Sequence, residues 1–277
     1  MSKTVLITGC SSGIGRATAK LLAEKGYSVY ATARRTESIA DLEAAGCKPL
    51  ALDVTSEESM QAAIAAIPEG IDALVNNAGI QDVGAIESLP MDRVRGLFET
   101  NVFGPVRLTQ LVLPQMRERR EGYVITVGSM NGKFTWPGTG FYCGTKHALE
   151  AIHDALRHET RPFGIKTVLV EPGFVKTPLG KSAVGRRVED DGPYAEYNAA
   201  VAEMTGSYTT GALGKLACSA EAVAETILKA LSSDKPKARY RVASSAGLFM
   251  TMRWALPDAA FDAFLRSGSP VPKPKKA

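Results

Sequence analysis

Short apolar runs and longer mixed runs alternate along the 277-residue chain. Thr4-Val5-Leu6-Ile7-Thr8 is β-branched and almost wholly apolar, the pattern of a buried strand. Runs of the same kind fall at 28–33, 48–53, 72–77, 122–128, 166–171 and 238–243. Between them lie stretches with helical spacing of apolar positions, near 14–25, 36–45, 56–66, 91–118, 140–160 and 220–232. The first of these stops at Gly26, a residue that readily ends helices. Strands alternating with helices predict an α/β fold: a doubly wound parallel sheet of about seven strands, covered by helices on both faces. Neither a repeat nor a linker interrupts the pattern, so residues 1–269 are expected to form one domain.

Two stretches do not fit the alternation. Leu179 to Gly214 is rich in Gly, Ala and Tyr and carries the charged patch Arg186-Arg187-Val188-Glu189-Asp190-Asp191. Long segments of this kind often close over active sites, so 179–214 is read as a substrate lid. Residues 246–266 read as a C-terminal helical cover over the same mouth, or as a surface for a partner subunit or a membrane. The Lys/Pro-rich tail 270–277 is expected to be disordered.

Composition narrows the function by exclusion. The net charge is +4, and leaving out Lys273, Lys275 and Lys276 of the tail brings it to +1. No nucleic-acid-binding surface is therefore expected. The cysteines, at 10, 47, 143 and 218, follow neither metal-ligand spacing nor a secreted disulfide framework. His147, His153 and His158 do not match a zinc motif, so no metal is expected. No run approaches the ~18 apolar residues of a transmembrane helix. With no charged-then-apolar leader, a reduced, cytoplasmic setting is the simplest expectation.

The candidate chemistry lies at the ends of the expected strands. Gly9-Cys10-Ser11-Ser12-Gly13-Ile14-Gly15 joins the first strand to the first helix, the arrangement in which a helix N-terminus meets a pyrophosphate. Gly9 permits the tight turn, Gly13 lets backbone approach phosphate, and Gly15 allows close helix–strand packing. The spacing departs from Gly-x-Gly-x-x-Gly. Tyr142 and Lys146 are four apart, hence on one face if the stretch is helical. An ammonium beside a phenol favours the phenolate, which would fit Tyr142 for acid–base work. Ser129 ends the fifth strand and precedes Tyr142 by 13 positions.

Together with Asn76-Asn77-Ala78-Gly79 and Pro172-Gly173, these motifs resemble the short-chain dehydrogenase/reductase family, in its order and spacing, over residues 4–178. Tyr142-Cys143-Gly144-Thr145-Lys146-His147-Ala148-Leu149-Glu150 resembles the 17β-hydroxysteroid and retinol dehydrogenase branch. The resemblance implies a Rossmann-type fold, hydride transfer between a nicotinamide and a carbonyl or alcohol, and a homo-oligomer, dimer or tetramer. It implies a catalytic set of Asn101, Ser129, Tyr142 and Lys146. Asn101 would kink the long helix and hold a water beside Lys146. Cofactor contacts would come from Gly9, Ser11, Ser12, Gly13, Ile14 and Gly15, from Asp53 and Val54, and from Asn77, Ala78 and Gly79. Tyr142 and Lys146 would join them, with Pro172, Gly173, Val175 and Thr177 around the nicotinamide. Asp53 could equally cap the helix before Glu57 and Glu58.

Cofactor choice is read at the end of the second strand, Val29-Tyr30-Ala31-Thr32-Ala33-Arg34-Arg35. NAD would be recognised by an acidic residue there, and none is present. Arg34 could pair with the 2′-phosphate of NADP, so NADP(H) is preferred over NAD(H). Phe134, Trp136, Phe141, Tyr194, Tyr197 and Tyr208 are candidate substrate-lining aromatics, or core residues. The expected substrate is a small-molecule carbonyl or alcohol, lipophilic in the manner of a steroid or retinoid. An acyl-thioester ketoreductase and a non-catalytic nucleotide sensor are the alternatives.

Overall fold

A computed structural model describes residues 2–188, 191–210 and 212–272. Strand β1 (Thr4–Ile7) is buried at every position and leads through the glycine turn into α1 (Gly13–Glu24). β2 (Ser28–Ala33) and β3 (Lys48–Ala51) follow, then α2 (Glu57–Ala65) and β4 (Ala73–Asn76). Helices α3 (Met91–Phe98) and α4 (Gly104–Arg119) precede β5 (Gly122–Val127). α5 (Gly140–Thr160), β6 (Ile165–Pro172), α6 (Leu179–Gly185), α7 (Ala195–Ser207) and α8 (Ala220–Leu231) come next. β7 (Arg239–Val242), α9 (Ser244–Ala255) and α10 (Asp258–Ser267) complete the order.

The described strands form one parallel sheet in the order β3-β2-β1-β4-β5-β6-β7. Ile7 lies beside Ala31 of β2 on one side and Val75 of β4 on the other. The winding therefore reverses at β1, and a crevice opens at the carboxyl ends of the flanking strands. Alternate residues face opposite helical layers. Val5, Ile7, Val75, Ile125 and Val168 pack toward Leu22 of α1 and Ile227 of α8. Leu6, Leu74 and Val124 pack toward Met60 of α2 and Leu108 and Val112 of α4.

The expected helices at 36–45 and 91–118 take altered forms. Thr36–Ala45 is 3₁₀, and its buried residues Ile39 and Leu42 are three apart, the spacing that aligns on a three-residue turn. The long helix is interrupted at Glu99–Phe103 by a π-helical turn holding Asn101. The 179–214 segment supplies α6 and α7, whose Ala183, Tyr197 and Val201 bury against Val83 and Ala85 of the loop after β4. Glu189, Asp190 and the tail lysines lie outside the described residues.

Candidate active site

The glycine turn is shaped by contacts that leave no room for side chains. Gly9 has φ +74° and Gly13 φ +56°, the left-handed region that glycine adopts without strain. A Cβ on Gly15 would stand 2.4 Å from Asn77 Nδ2 and 2.5 Å from the Gly9 carbonyl oxygen. Thr8 is the hub between this turn and the one after β4. Its Oγ1 accepts from the amides of Asn77 and Ala78, each at 3.0 Å, while Asn77 Nδ2 donates to the Thr8 and Gly9 carbonyls at 2.8 and 3.2 Å. Ser12 is the N-cap of α1 without a side-chain cap bond, and no acid stands in the first turn. The helix thus presents amides and a positive dipole end to the cleft.

The cleft, about 790 Å³, runs across the carboxyl ends of the strands. Its walls include Gly9, Ser11, Ser12, Gly13 and Ile14; Arg34, Asp53 and Val54; and Asn77, Ala78 and Gly79. Ser129, Tyr142, Lys146, Pro172, Gly173, Val175 and Thr177 line it as well. Gly15 and Asn101 do not: Gly15 packs beneath the turn, and Asn101 is buried behind the wall. Ala33 stands at the end of β2 where an acid would lie, and the exposed Arg34 guanidinium has no partner among the described residues. Asp53 accepts from the amide and hydroxyl of Thr55 at 2.9 and 2.8 Å. The cap of α2 is Ser56, not Asp53, through an acceptor bond from the Ser59 amide at 3.2 Å. A turn that excludes Cβ atoms, an uncapped helix end and an unpaired guanidinium on one wall fit a phosphorylated dinucleotide.

At the deep end, Ser129 caps a 3₁₀ turn, Met130–Gly132, its Oγ accepting from the Asn131 amide at 3.1 Å. The hydroxyl also lies near enough to the Tyr142 phenol to act on its ionisation. Tyr142 and Lys146 are both 7% exposed, one helical turn apart on α5. The expected electrostatics differ. Burial pushes the Tyr142 phenol up, Cys143 adds to the rise, and the neighbouring Ser129 hydroxyl opposes it. Burial also lowers Lys146 to about 8. The shared face is present, but the Lys146 ammonium donates to the Val127 carbonyl at 3.0 Å rather than to the phenol.

Asn101 fastens three elements. Its Oδ1 accepts from the Ile80 amide at 2.9 Å, and its Nδ2 donates to the Ile80 carbonyl at 2.9 Å and to Thr145 Oγ1 at 3.2 Å. It thereby ties the loop after β4 to α5 at the residue beside Lys146.

The aromatic candidates separate into two groups. Trp136 and Tyr208 line the cleft, joined by Phe174, which stacks on Tyr208 at 4.8 Å. Phe134 packs instead against Phe249 and Phe261, Tyr194 against Tyr197, and Phe141 beside Leu97 and Cys143. Phe249, Phe261 and Leu265 of the C-terminal helices pack behind this wall, and neither helix lines the cleft. Instead of covering the mouth, α9 and α10 bury their apolar faces under it.

The 179–214 segment reaches the cleft, through Leu179, Lys181, Arg186 and Thr205. Asp82, buried in the loop after β4, accepts from Arg93 at 2.5 Å and from Arg186 at 2.8 and 3.1 Å, which latches α6 to that loop. Sequence reasoning had no pointer to Asp82, Thr205 or Thr139. Ile80 and Gln81, also in the wall, follow directly on the Asn76–Gly79 motif and could have been read from it. Among the described residues, no group of three or more His, Cys, Asp or Glu could hold a metal, and no helix is long and apolar enough to cross a membrane.

The model of the short chain dehydrogenase family matches residues 3–187. An NADPH-dependent 3-dehydrocapnine reductase of Ornithobacterium rhinotracheale is 34% identical over 270 residues, covering 93% of this chain and 94% of its own. The 17-beta-hydroxysteroid dehydrogenase type 1 of Homo sapiens is 36% identical over 259 residues, 87% of this chain and 77% of its own. A solved short-chain dehydrogenase from Streptomyces avermitilis superposes with a TM-score of 0.79 at 35% identity, covering 96% of each chain.

Proposed function

The chain belongs to the short-chain dehydrogenase family, and from that premise we propose an NADP(H)-dependent oxidoreductase acting on a lipophilic carbonyl or alcohol. That it is an oxidoreductase binding a nicotinamide dinucleotide follows from the family. The finer reading rests on one observation: the cleft runs from the unpaired Arg34 at one end to Ser129, Tyr142 and Lys146 beside an aromatic wall at the other.

Gly9, Ser11, Ser12, Gly13 and Ile14 would hold the pyrophosphate against the α1 N-terminus. Arg34 would pair with the 2′-phosphate, and Asp53 and Val54 would flank the adenine. Asn77, Ala78 and Gly79 would lie along the ribose, and Pro172, Gly173, Val175 and Thr177 around the nicotinamide. Gly15 serves the same turn from below. Bound there, the cofactor supplies hydride exchange with the substrate carbon. In reduction, Tyr142 delivers the proton to the substrate oxygen. Its raised pKa keeps it protonated, as an acid must be. Ser129 donates a hydrogen bond to the same oxygen, which favours the negative charge developing in the transition state. Lys146 holds the ribose hydroxyls and restores the Tyr142 proton. Asn101 keeps the path from Lys146 to solvent in place through its Thr145 contact. Oxidation uses the same groups in reverse.

Trp136, Phe174 and Tyr208 favour a lipophilic substrate body, in keeping with the steroid substrate in a relative's name. A homo-oligomer in the cytoplasm belongs to the same reading. The test is binding of NADPH and NADH, then turnover of ketones and aldehydes with Tyr142→Phe as control. NADPH preference with turnover lost by roughly 10²-fold or more supports the reading. Tight cofactor binding without turnover of any panel member points to a sensor, and turnover only of carrier-linked thioesters points to a ketoreductase.

A further inference from the structure

Beneath the Ser129 turn lies a charged cluster that this chemistry does not use. Glu171, just before Pro172 on β6, is 0% exposed, and among the described residues neither of its oxygens meets an ordinary hydrogen-bond donor. Its neighbour is a second carboxyl, Glu150 of α5: Lys133 and Arg239 each reach both acids. Two buried carboxyls this close escape mutual repulsion only when a proton lies between them. Glu150 Oε1 likewise meets no ordinary donor, whereas its Oε2 takes Lys133 at 2.5 Å and Arg239 at 2.9 and 3.0 Å. A Glu171 O–H donating to Glu150 Oε1 pairs two of these three oxygens and leaves the other Glu171 oxygen to the more distant cations.

The surroundings agree. Cations approach Glu171 only at the edge of ion-pair range: Arg239 at 3.5 Å, Lys133 at 3.8 Å and Arg241 at 3.9 Å. Asp154, one turn along α5 from Glu150, draws Arg239 at 2.8 Å and Arg157 at 2.9 Å. His153 is buried and lowered to about 4 by burial and by Arg239, so it adds no charge at neutral pH. Burial first, then Glu150, raises Glu171 to about 7.

The pair is in direct touch with the site. A Cβ on Gly132 would lie 2.9 Å from Glu150 Cγ and 3.0 Å from the Lys146 carbonyl oxygen, so the Ser129 turn rests on Glu150 itself. Lys133, next in the chain, is bonded to Glu150, and Glu171 leads directly into Pro172 and Gly173 of the cleft wall. We propose that Glu171 and Glu150 are positioning residues, a one-proton carboxyl pair that seats the Ser129 turn against Tyr142 and loosens it when the proton is lost. Two carboxylates repelling at low solvent exposure would push Glu150 against Gly132 and weaken its hold on Lys133.

The sign follows from linkage. A carboxyl whose folded pKa lies above its unfolded value contributes stability that is full below about 4.5 and lost as pH rises through about 7. Glu171→Gln supplies an amide donor toward Glu150 and cannot ionise. Thermal melts of the full chain and of this variant, from about pH 5.5 to about pH 8.5, are compared with amide exchange over residues 129–133 corrected for intrinsic rates. The wild type should lose melting temperature up to about pH 7 and level off above it, and gain about threefold or more in exchange as pH crosses 7, and the variant should show neither change. A wild type without the melting step, or a variant that keeps it, overturns the pair. A melting step without the exchange change overturns the positioning role. The expected parallel, a step in kcat near pH 7 that Glu171→Gln abolishes, rests on the Ser129 reading above. Melting and exchange need no turnover, so failure of that reading is told apart from failure of the pair.

Discussion

The Lys146 ammonium lies 5.8 Å from the centre of the Tyr142 ring while its hydrogen bond goes to the carbonyl of Val127, the last residue of β5. The lysine thus ties α5 to the strand that leads into Ser129, and burial makes its charge costly to keep. Its folded pKa of about 8 lies below the ordinary lysine value of 10.5. Between these values the unfolded chain binds more protons, so stability rises with pH across that window. The melting temperature of the wild type, measured relative to Lys146→Met, should therefore climb from about pH 8 to about pH 10. A flat difference would show that Lys146 titrates as a solvated lysine. In reduction, kcat should fall over the same range, because the cation beside Tyr142 is lost.

Arg34 should decide the cofactor. It stands on the cleft wall without a partner among the described residues, and Ala33 beside it offers no carboxylate to ribose hydroxyls. Arg34→Ala should weaken NADPH by about 10- to 100-fold, the worth of a charge-assisted bidentate contact, and leave NADH within about twofold. Calorimetric titration of both cofactors reads the two effects separately. An equal loss for both would place Arg34 outside phosphate recognition.

The sheet and the strand-end motifs were legible because they are local. Apolar runs report burial, and Gly9, Gly13 and Gly15 are needed for backbone reasons that hold wherever such a turn is built. What escaped depends on contacts between distant segments. Asp82 and Arg186 are 104 positions apart, and neither has a local pattern that anticipates the other. Glu150 and Glu171 looked like ordinary acids on a helix and a strand until the fold enclosed them. The direction of the Tyr142 shift was missed for the same reason. Helical spacing puts Lys146 near the phenol, but burial, which spacing does not report, dominates the result.

Two glycines in helices should respond oppositely to alanine. At Gly15 the added carbon meets Asn77 Nδ2 and the Gly9 carbonyl, groups held by the Thr8 network, so Gly15→Ala should cost about 1–3 kcal/mol and weaken cofactor binding. At Gly247, inside α9, the carbon meets nothing within 4 Å. Gly247→Ala should gain about 0.5–1 kcal/mol by lowering the entropy of the unfolded chain. Urea unfolding of both variants measures the contrast. A stabilised Gly15→Ala would mean that the turn yields more readily than its contacts imply.

Asn101 makes the most specific demand, because one amide answers both backbone groups of Ile80. Its oxygen accepts from the Ile80 amide and its nitrogen donates to the Ile80 carbonyl, at 2.9 Å each, with only 1% of the residue exposed. Asn101→Ala leaves both groups unpaired and should cost about 2–4 kcal/mol at any pH near neutrality. Asn101→Asp should behave differently. A protonated carboxyl reproduces the arrangement, with one oxygen accepting and an O–H donating to the carbonyl. A carboxylate in the same place sets an oxygen against the Ile80 carbonyl with no donor between them. Burial would raise the pKa of this acid, so its contribution is present at low pH and lost as pH rises through the folded value. Unfolding free energies at about pH 5 and about pH 8 should therefore separate the variants: Asn101→Asp loses stability across the interval and Asn101→Ala does not. Parallel behaviour of the two would mean that the π-helical turn, rather than the Ile80 pairing, sets the cost.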